Sequence, residues 1–495
     1  MRIGSRIECV CVPKMASETT SIGLENCEPS SHEDVKSSDI DRALDRAGIS
    51  WETLRVCSMC GAGWFADGVE GQVLAFMLPT LEKTWNLTGV QLSLLASSVA
   101  CGQALGAVAW GAASDSFGRR PAFLGSMAVA TGFAIASAFA PGFYAYCVLR
   151  AATGFGIGGN LPVSIALTAE FLGPKERAPT IVLMHFFYEA GELLTTGLGA
   201  LLLSSQWRLF LWSTAAPAAA IALLSFRCLP ESPHWLASRG RADDARAVVQ
   251  RFTQSAPLRS RYCAQCEDEE GSGRFLHTSE GDESTPSCGS SENESGKRGL
   301  RQLATGTLAP TTAAVIALWF CAQLGSGWVI WAPEIGQIRG LRRGAIYLTA
   351  AIARVVAMTA FVFASRAIQG RRPFRLLTFS LLMTLCASAA LACVVGLPRL
   401  TTAWSFGIAY VLYIFFFGMA WPVMYAVTPL SFPTHARGAG FGVANFASKF
   451  GSVLHPLLAG PLIHRSLAAL GATWTAGWLV AALSSVSVSR RPTYL

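Results

Sequence analysis

The chain has 495 residues, of which 52% are hydrophobic and 14% are charged. Soluble domains carry about 25% charged residues, so this chain has too few charges to cover a water-exposed surface, and the composition excludes an ordinary soluble protein. The net charge of +8 comes from short arginine clusters between apolar stretches, a pattern typical of membrane proteins and not of a nucleic-acid-binding groove.

A polar segment precedes the first apolar stretch. Residues 1–50 contain runs of Ser, Glu and Asp and lack the continuous apolar core of a secretory signal peptide, so we expect a cytosolic tail. Within this tail, the spacing of apolar residues from Asp39 to Ala47 predicts a short helix that leads into the membrane.

Two long apolar regions follow, at residues 51–229 and 306–486. A helix needs about 20 apolar residues to cross the hydrocarbon layer, and on that scale each region holds about six spans. The sequence therefore predicts an all-α membrane protein with two six-helix bundles, one in each region.

The segment between the bundles, residues 230–305, has two parts. Helical periodicity with mixed charge predicts a helix from His234 to Phe252, whereas the Ser-, Glu- and Gly-rich stretch from Cys263 to Lys297 predicts disorder. Arginines concentrate in the short loops on the same side as this linker, and their bias places the linker, both termini and the tail at 487–495 in the cytosol.

The cysteines do not form a metal-binding pattern. Of the 14 cysteines, Cys263 and Cys266 form the one tight pair in the linker, and neither a second pair nor a histidine cluster accompanies them at ligand spacing. We therefore expect no metal site and no cofactor. The cysteines within apolar stretches are expected to pack as small hydrophobic side chains.

Two sequence landmarks recur in both halves of the chain. Asp115-Ser-Phe-Gly118-Arg119-Arg120 follows the second span, and Ala367-Ile-Gln-Gly370-Arg371-Arg372 follows the eighth. Glu170 with Arg177 follows the fourth span, and Leu430 with Arg437 follows the tenth. The repetition indicates a duplicated bundle with a solute site between the halves, an organisation common in transporters.

These motifs are similar to those of a known family. Asp115-x-x-Gly118-Arg119-Arg120 resembles the signature of the major facilitator superfamily, and Pro230-Glu231-Ser232-Pro233 resembles the element after the sixth span of sugar porters and organic-ion transporters. Asp67-Gly-Val-Glu70 and the segment from Leu149 to Gly159 resemble the synaptic-vesicle-glycoprotein-like and niacin-transporter-like branch. The resemblance covers nearly the whole chain except the acidic linker, and it implies the major facilitator fold and transport by alternating access.

Acids and arginines cluster at the predicted cytosolic end of the first half. The candidate gate residues are Asp115, Gly118, Arg119, Arg120, Glu170, Arg177, Glu231, Arg371 and Arg437. Ion pairs among them can hold one conformation and break in another, as alternating access requires; the alternative is a solvated loop with ordinary cytosolic arginines. In the second half Ala367 and Leu430 replace the two acids, which predicts an asymmetric gate.

Ionisable side chains in spans one and four form the candidate proton site. A charge near the middle of a membrane costs at least about 2.5 kcal/mol, so such a residue usually serves a function. Asp67 and Glu70 lie three residues apart on one face of span one, and the family resemblance places Arg150 near the aspartate. We expect Asp67 to accept a proton with Arg150 as its partner; the alternative is a permanent structural ion pair.

Span five carries a second polar face. His185, Glu189 and Glu192 share one side of this helix, where they either line the central cavity or hydrogen-bond to neighbouring helices. Aromatic residues in spans seven and ten either stack on a solute or lie at the membrane interfaces, where Trp and Tyr collect. The candidates for the cavity are Trp319, Trp328 and Tyr425.

Glycines recur within the apolar spans. The sequence Gly154-x-Gly156-x-Gly158-Gly159 resembles a dinucleotide-binding loop, but it lies within a span and follows no strand, which favours close helix packing over nucleotide binding. Gly102 and Gly106 predict the same kind of packing in the second span.

Two functions agree with these patterns. The first is a secondary carrier, a uniporter or proton symporter, for a small polar organic solute such as a sugar, an organic ion or a carboxylate metabolite; the second is a non-transporting receptor or sensor on the same scaffold. The sequence shows no nucleophile–base pair, metal cluster or P-loop, so we expect neither an enzyme nor an ATP-driven pump. The expected partners are the solute, protons in the case of symport, and the lipid of a plasma or vesicle membrane. We expect a monomer that binds no nucleic acid.

Overall fold

The computed structural model describes residues 37–203, 206–255, 303, 308–368, 372–433 and 436–489. In its first half the helices are α1 (Ser37–Ala47), α2 (Trp51–Trp85), α3 (Gly89–Phe117), α4 (Arg119–Ser137), α5 (Phe143–Glu170), α6 (Pro174–Leu202), α7 (Trp207–Cys228), α8 (Pro233–Ser238) and α9 (Ala242–Gln254). In its second half they are α10 (Ala309–Gly325), α11 (Gly327–Ile338), α12 (Arg343–Ile368), α13 (Pro373–Gly396), α14 (Ala403–Val427), α15 (Arg437–Ile463) and α16 (Leu467–Ser489). Short 3-10 helices lie at Pro398–Leu400 and Thr428–Ser431. The acidic linker stretch from Cys263 to Lys297 lies outside the described residues.

Local sequence fixes where the first helices begin and end. The Ser50 side chain starts α2 by accepting a hydrogen bond from a backbone N–H at 3.1 Å. Asn86 ends α2 in the left-handed conformation with a φ of 50°, and a capping box between Thr88 and Gln91 then starts α3. The turn from α3 to α4 is at Gly118, whose φ of 115° favours glycine.

The long helices form two bundles. Helices α2 to α7 pack against one another as the N-terminal bundle, and α10 to α16 form the C-terminal bundle. Within the first bundle, Gly102, Gly106, Gly154 and Gly158 bring α3 and α5 together, because a Cβ atom at any of them would overlap a carbonyl oxygen of the facing helix. The close packing predicted for these glycines is present.

Composition separates the long helices into two groups. Seven of the described helical segments are long and apolar enough to cross a membrane, namely α3, α7, α10 with α11, α12, α13, α14 with its following 3-10 turn, and α16. Helices α2, α6 and α15 are as long, but they carry ionisable side chains that line the cavity between the bundles. Their lower hydropathy follows from that position.

Two elements that the sequence predicts as single helices are divided. The seventh span consists of α10 and α11, which meet at Ser326. Gly325 and Gly327 flank the break and lie so close to tryptophan rings of α16 that neither position has room for a side chain. The linker helix predicted from His234 to Phe252 is likewise two helices, α8 and α9, because the turn between them passes through Gly240 with a φ of 72°.

The end of the molecule that holds α1, α8 and α9 is called the linker face here, and the other end the opposite face. Helix α1 packs against α6, α8 and α9, with Ile40 and Leu44 buried. The rings of Phe171 and Phe252 stack at 4.8 Å beneath it. These contacts attach the start of the linker to the N-terminal bundle.

Contacts between the bundles are strong at the opposite face. The Lys83 ammonium donates to the Gln337 side chain at 2.8 Å, and the Ser93 hydroxyl donates to the carbonyl of Pro456 at 2.7 Å. Further toward the interior, Ser97 donates to the carbonyl of Val453 at 3.0 Å. These bonds join α2 to α11 and α3 to α15, so the two bundles meet on that side.

Candidate functional site

A cavity of about 230 Å³ lies between the two bundles. Helices α2, α3, α5 and α6 supply one wall, and α10, α11, α12, α14 and α15 supply the other. The ionisable residues that line it are Asp67, Glu70, His185, Glu189, Glu192, Arg354, Lys449 and His455. A polar cavity at the junction of two repeated bundles is the position expected for a solute site.

Asp67 lies in the wall that α2 provides. One of its carboxylate oxygens accepts a hydrogen bond from the Asn160 amide at 2.9 Å, and the same amide nitrogen donates to the carbonyl of Gly63 at 2.8 Å. The other oxygen, Oδ2, is buried without a hydrogen-bond partner among the described residues. Asp67 therefore keeps one acceptor available beside the cavity.

Arg150 binds Glu70 rather than Asp67, the partner expected from the sequence. Its Nη1 lies 2.7 Å from Glu70 Oε2, and the two side chains are 1% and 5% exposed. Helices α2 and α5 run antiparallel, so Glu70, which is nearer the opposite face, meets the early part of α5, whereas Asp67 meets Asn160 further along. This register decides the pairing.

The polar face of α6 meets an arginine from the other bundle. Arg354 of α12 forms ion pairs with Glu192 and, at 3.3 Å, with Glu189. Its Nη2 lies 3.3 Å from the Gln72 side-chain oxygen and 3.4 Å from the Tyr410 hydroxyl. The Arg354 side chain is 1% exposed. Its ion pairs with Glu189 and Glu192 are therefore buried, and they join the two bundles.

His185 completes the predicted face of α6. Its ring packs edge-on against Trp64 at 4.7 Å and lies 5.6 Å from Phe361 and 5.9 Å from Tyr425. Its Nδ1 is 3.2 Å from the carbonyl of Ile181. Together with Glu189 and Glu192 it lines the cavity, the first of the two alternatives that the sequence left open.

The three aromatic candidates lie in different surroundings. Tyr425 lines the cavity, whereas Trp319 and Trp328 are fully buried within the C-terminal bundle. The Trp319 indole donates to Thr428 at 2.9 Å, and that of Trp328 donates to Ser388 at 3.0 Å. Both tryptophans thus pack and hydrogen-bond within the bundle, because α10 and α11 turn these positions away from the cavity.

Several cavity residues were not selected from the sequence. Among them are Trp64, Arg354, Lys449 and His455. Arg354 and Lys449 carry the signal that identified Asp67, namely a charge within an apolar span. The aromatic residues carry no such signal, because the interior and the interfaces of a membrane protein both hold many aromatic side chains.

The gate residues of the first half form a network within the N-terminal bundle. Arg119 pairs with Asp115 on α3 and, at 3.1 Å, with Glu170 on α5. Glu231 accepts hydrogen bonds from the backbone N–H groups of Arg119 and Arg120 at 2.9 and 3.2 Å. A carboxylate at the start of a helix satisfies N–H groups that have no partner inside the helix.

Gly118 borders this network, whereas Arg177 lies outside it. Gly118 lies so close to the Glu231 carboxylate that a Cβ atom there would overlap it. Arg177 binds Asp41 of α1 at 2.5 Å and so holds α1, not the loop between α3 and α4. Arg437 begins α15, and Arg371 lies outside the described residues.

Comparison with known proteins decides the family. The model of the Major Facilitator Superfamily matches residues 60–456. The chain belongs to the major facilitator superfamily. This facilitator is 26% identical over 453 residues to the organic cation/carnitine transporter 7 of Arabidopsis thaliana, a match that covers 86% of this chain and 88% of that protein.

Two further relatives of this facilitator carry names that agree with the branch its motifs resemble. It is 25% identical to the niacin transporter NiaP of Acinetobacter baylyi over 80% of this chain and 84% of that protein. It is 34% identical over 222 residues to the synaptic vesicle 2-related protein of Rattus norvegicus, covering 44% of this chain and 40% of the relative.

Solved structures share the fold of this facilitator. The proton:xylose symporter XylE bound to 6-bromo-6-deoxy-D-glucose has a TM-score of 0.68 at 19% identity, covering 89% of this chain and 96% of that one. A partially occluded inward open form of XylE from E. coli has the same TM-score at 18% identity, over 90% and 99% of the two chains. The predicted superfamily, the all-α two-bundle fold and the multi-pass membrane location are therefore confirmed, and this facilitator is a transporter-family protein.

Proposed function

We propose that this facilitator is a secondary carrier that moves a small polar organic solute, such as a sugar, an organic ion or a carboxylate metabolite, by alternating access. The cavity carries the proposal: both bundles supply charged and aromatic side chains to it, and bonds such as Lys83 to Gln337 close the opposite face. A rocking of one bundle against the other would expose the cavity to each face in turn.

Within this proposal Glu70 takes the transported proton. Protonation would remove the charge that holds Arg150 at 2.7 Å, and a buried arginine without its partner favours a rearrangement of α2 against α5. The sequence favoured Asp67 for this role, but Asp67 bonds to an amide rather than to an arginine. We therefore assign the proposed proton site to Glu70, one helical turn further along α2.

The names of similar proteins support the class of solute. The Arabidopsis relative is named for organic cations and carnitine and the Acinetobacter relative for niacin, while the structural neighbour XylE is named a proton:xylose symporter. All are small polar organic molecules. We further propose that the carrier works as a monomer, with its linker face in the cytosol as the arginine distribution predicts.

Solute flux in proteoliposomes tests the proposal. The purified chain is reconstituted, and counterflow of labelled sugars, organic cations, amino-acid derivatives and nicotinate is measured with and without a pH gradient. We expect counterflow of one class, and accumulation of it under an inward proton gradient. Glu70→Gln should keep counterflow and lose the effect of the gradient, whereas the control Asp243→Asn, on the exposed surface of α9, should keep both.

A receptor on the same scaffold is the second candidate. Ala367 and Leu430 occupy the places of the gate acids Asp115 and Glu170 in the second half, so that half of the repeated gate lacks these two acids. A receptor would bind a solute and show no flux with any member of the panel. That result would replace the carrier proposal.

A further inference from the structure

Some charged side chains around the cavity have an ion-pair partner, and others do not. Glu70 is bound by Arg150, and the two carboxylates of α6 are bound by Arg354. Apart from the histidines, two ionisable groups remain in the cavity wall without an ion-pair partner among the described residues. They are Asp67, whose Oδ2 is buried and unpartnered, and Lys449.

These two groups belong to different bundles. Asp67 lies on α2 and Lys449 on α15, both side chains line the same cavity, and no ion pair joins them. A ligand that fills the cavity can therefore meet a carboxylate from one bundle and an ammonium from the other. Such a ligand gains most if it presents a positive group to the first and a negative group to the second.

We propose that the solute of this carrier is a small zwitterion, with an organic ammonium directed to Asp67 and a carboxylate directed to Lys449. This inference rests on the proposed function and adds the substrate class to it. The cavity volume of about 230 Å³ suits a molecule of that size.

The aromatic lining supports the position of the ammonium. Tyr425 and Trp421 line the same cavity, and their rings lie 6.3 Å apart. The Trp64 ring, one turn from Asp67 on α2, reaches the cavity beside His185. Aromatic faces attract alkylated ammonium groups, which cannot be held by hydrogen bonds alone.

A zwitterion would also couple binding to movement of the bundles. A solute with a single charge contacts either Asp67 or Lys449, and so it contacts one bundle. A solute with both charges contacts both bundles and favours the arrangement that brings them together. Singly charged analogues should therefore bind weakly and be moved poorly, because they leave the other charge without a partner.

Matched analogues test the proposal on the purified full-length chain. The probes are trimethylammonium carboxylates with one to three carbons between the charges, choline, which lacks the carboxylate, and 3,3-dimethylbutanoate, in which carbon replaces nitrogen. Binding is measured by calorimetry. We expect at least one zwitterion to bind about tenfold or more tightly than either singly charged analogue, because each analogue lacks one of the two charge contacts.

Two substitutions assign the ends of the ligand. Lys449→Gln should bind the zwitterion no better than choline, but it should still prefer the zwitterion to 3,3-dimethylbutanoate. Lys449→Arg should keep both of these preferences for the zwitterion. Asp67→Asn should bind the zwitterion no better than 3,3-dimethylbutanoate, but it should still prefer the zwitterion to choline. A wild-type protein that binds zwitterions no better than the singly charged analogues, whether all bind or none does, overturns the proposal.

Counterflow measurements distinguish a failure of the zwitterion assignment from a failure of the carrier proposal. If singly charged organic ions or sugars show counterflow while zwitterions have no advantage, the carrier stands and the zwitterion assignment fails. If zwitterions bind with the expected preferences but no solute shows counterflow, the ligand class stands and the carrier proposal fails.

Discussion

Replacement of Arg354 by leucine should destabilise the protein strongly. The guanidinium is the single cation that contacts both Glu189 and Glu192 among the described residues, and its removal leaves two carboxylates in a buried site. Each carboxylate lost its hydration when the bundles packed together. The variant would therefore hold an unbalanced negative charge where water cannot screen it.

The geometry sets the size of the effect. At the 3.3 Å that separates Arg354 from Glu189, two unit charges attract by about 5 kcal/mol at an effective dielectric constant of about 20. Removal of one partner from a buried ion pair costs about 3–5 kcal/mol in measured cases. We therefore expect Arg354→Leu to lower the free energy of unfolding by about 3–5 kcal/mol.

Equilibrium unfolding in mixed detergent micelles, followed by tryptophan fluorescence, measures this loss. The triple variant Arg354→Leu, Glu189→Gln, Glu192→Gln removes the charges together and should recover at least half of it. The control Arg366→Leu changes an exposed arginine of the same helix and should stay within about 0.5 kcal/mol of wild type. A loss below about 1 kcal/mol for Arg354→Leu, or a triple variant no more stable than the single one, would refute the reasoning.

Three further predictions concern packing and the linker face. Gly106→Val should prevent α3 from packing on α5 and sharply reduce the yield of folded protein in size-exclusion chromatography, whereas Gly111→Val, in the same helix with open space around its Cβ, should not. Glu231→Ala removes the acceptor for two N–H groups at the start of α4 and should cost about 1–3 kcal/mol, seen as faster hydrogen exchange there and not in α13. Arg177→Gln breaks the 2.5 Å pair with Asp41 and should speed proteolysis within α1; an unchanged cleavage rate would show that its apolar face alone holds this helix.

Sequence patterns were sufficient for the architecture because membranes constrain it strongly. Apolar stretches of fixed length and the Gly-Arg-Arg sequence repeated at Gly118 and Gly370 predicted two bundles. The division of span seven at Ser326 was not predictable, because it depends on tryptophan rings of α16 that are distant in sequence. Similarly, Gly240 divides the linker helix through its backbone conformation.

The sequence predicted many of the site residues, but it did not predict which of their side chains bind each other. The charges of α2, α5 and α6 were identified individually, since a charge within a span is conspicuous. Their partners depend on the register of antiparallel helices, which placed Arg150 on Glu70 and left Asp67 to Asn160. Trp319 and Trp328 were assigned to the cavity on residue type, but the rotation of their helices decides which face they occupy.

Locking the opposite face tests the central claim of alternating access most directly. Lys83 and Gln337, whose side chains meet at 2.8 Å across the bundles, are replaced by cysteines in a variant without native cysteines, and solute counterflow is measured before and after cross-linking. The account predicts that cross-linking abolishes counterflow, that reduction restores it, and that each single cysteine variant is unaffected. Counterflow that persists at full cross-linking would contradict the account.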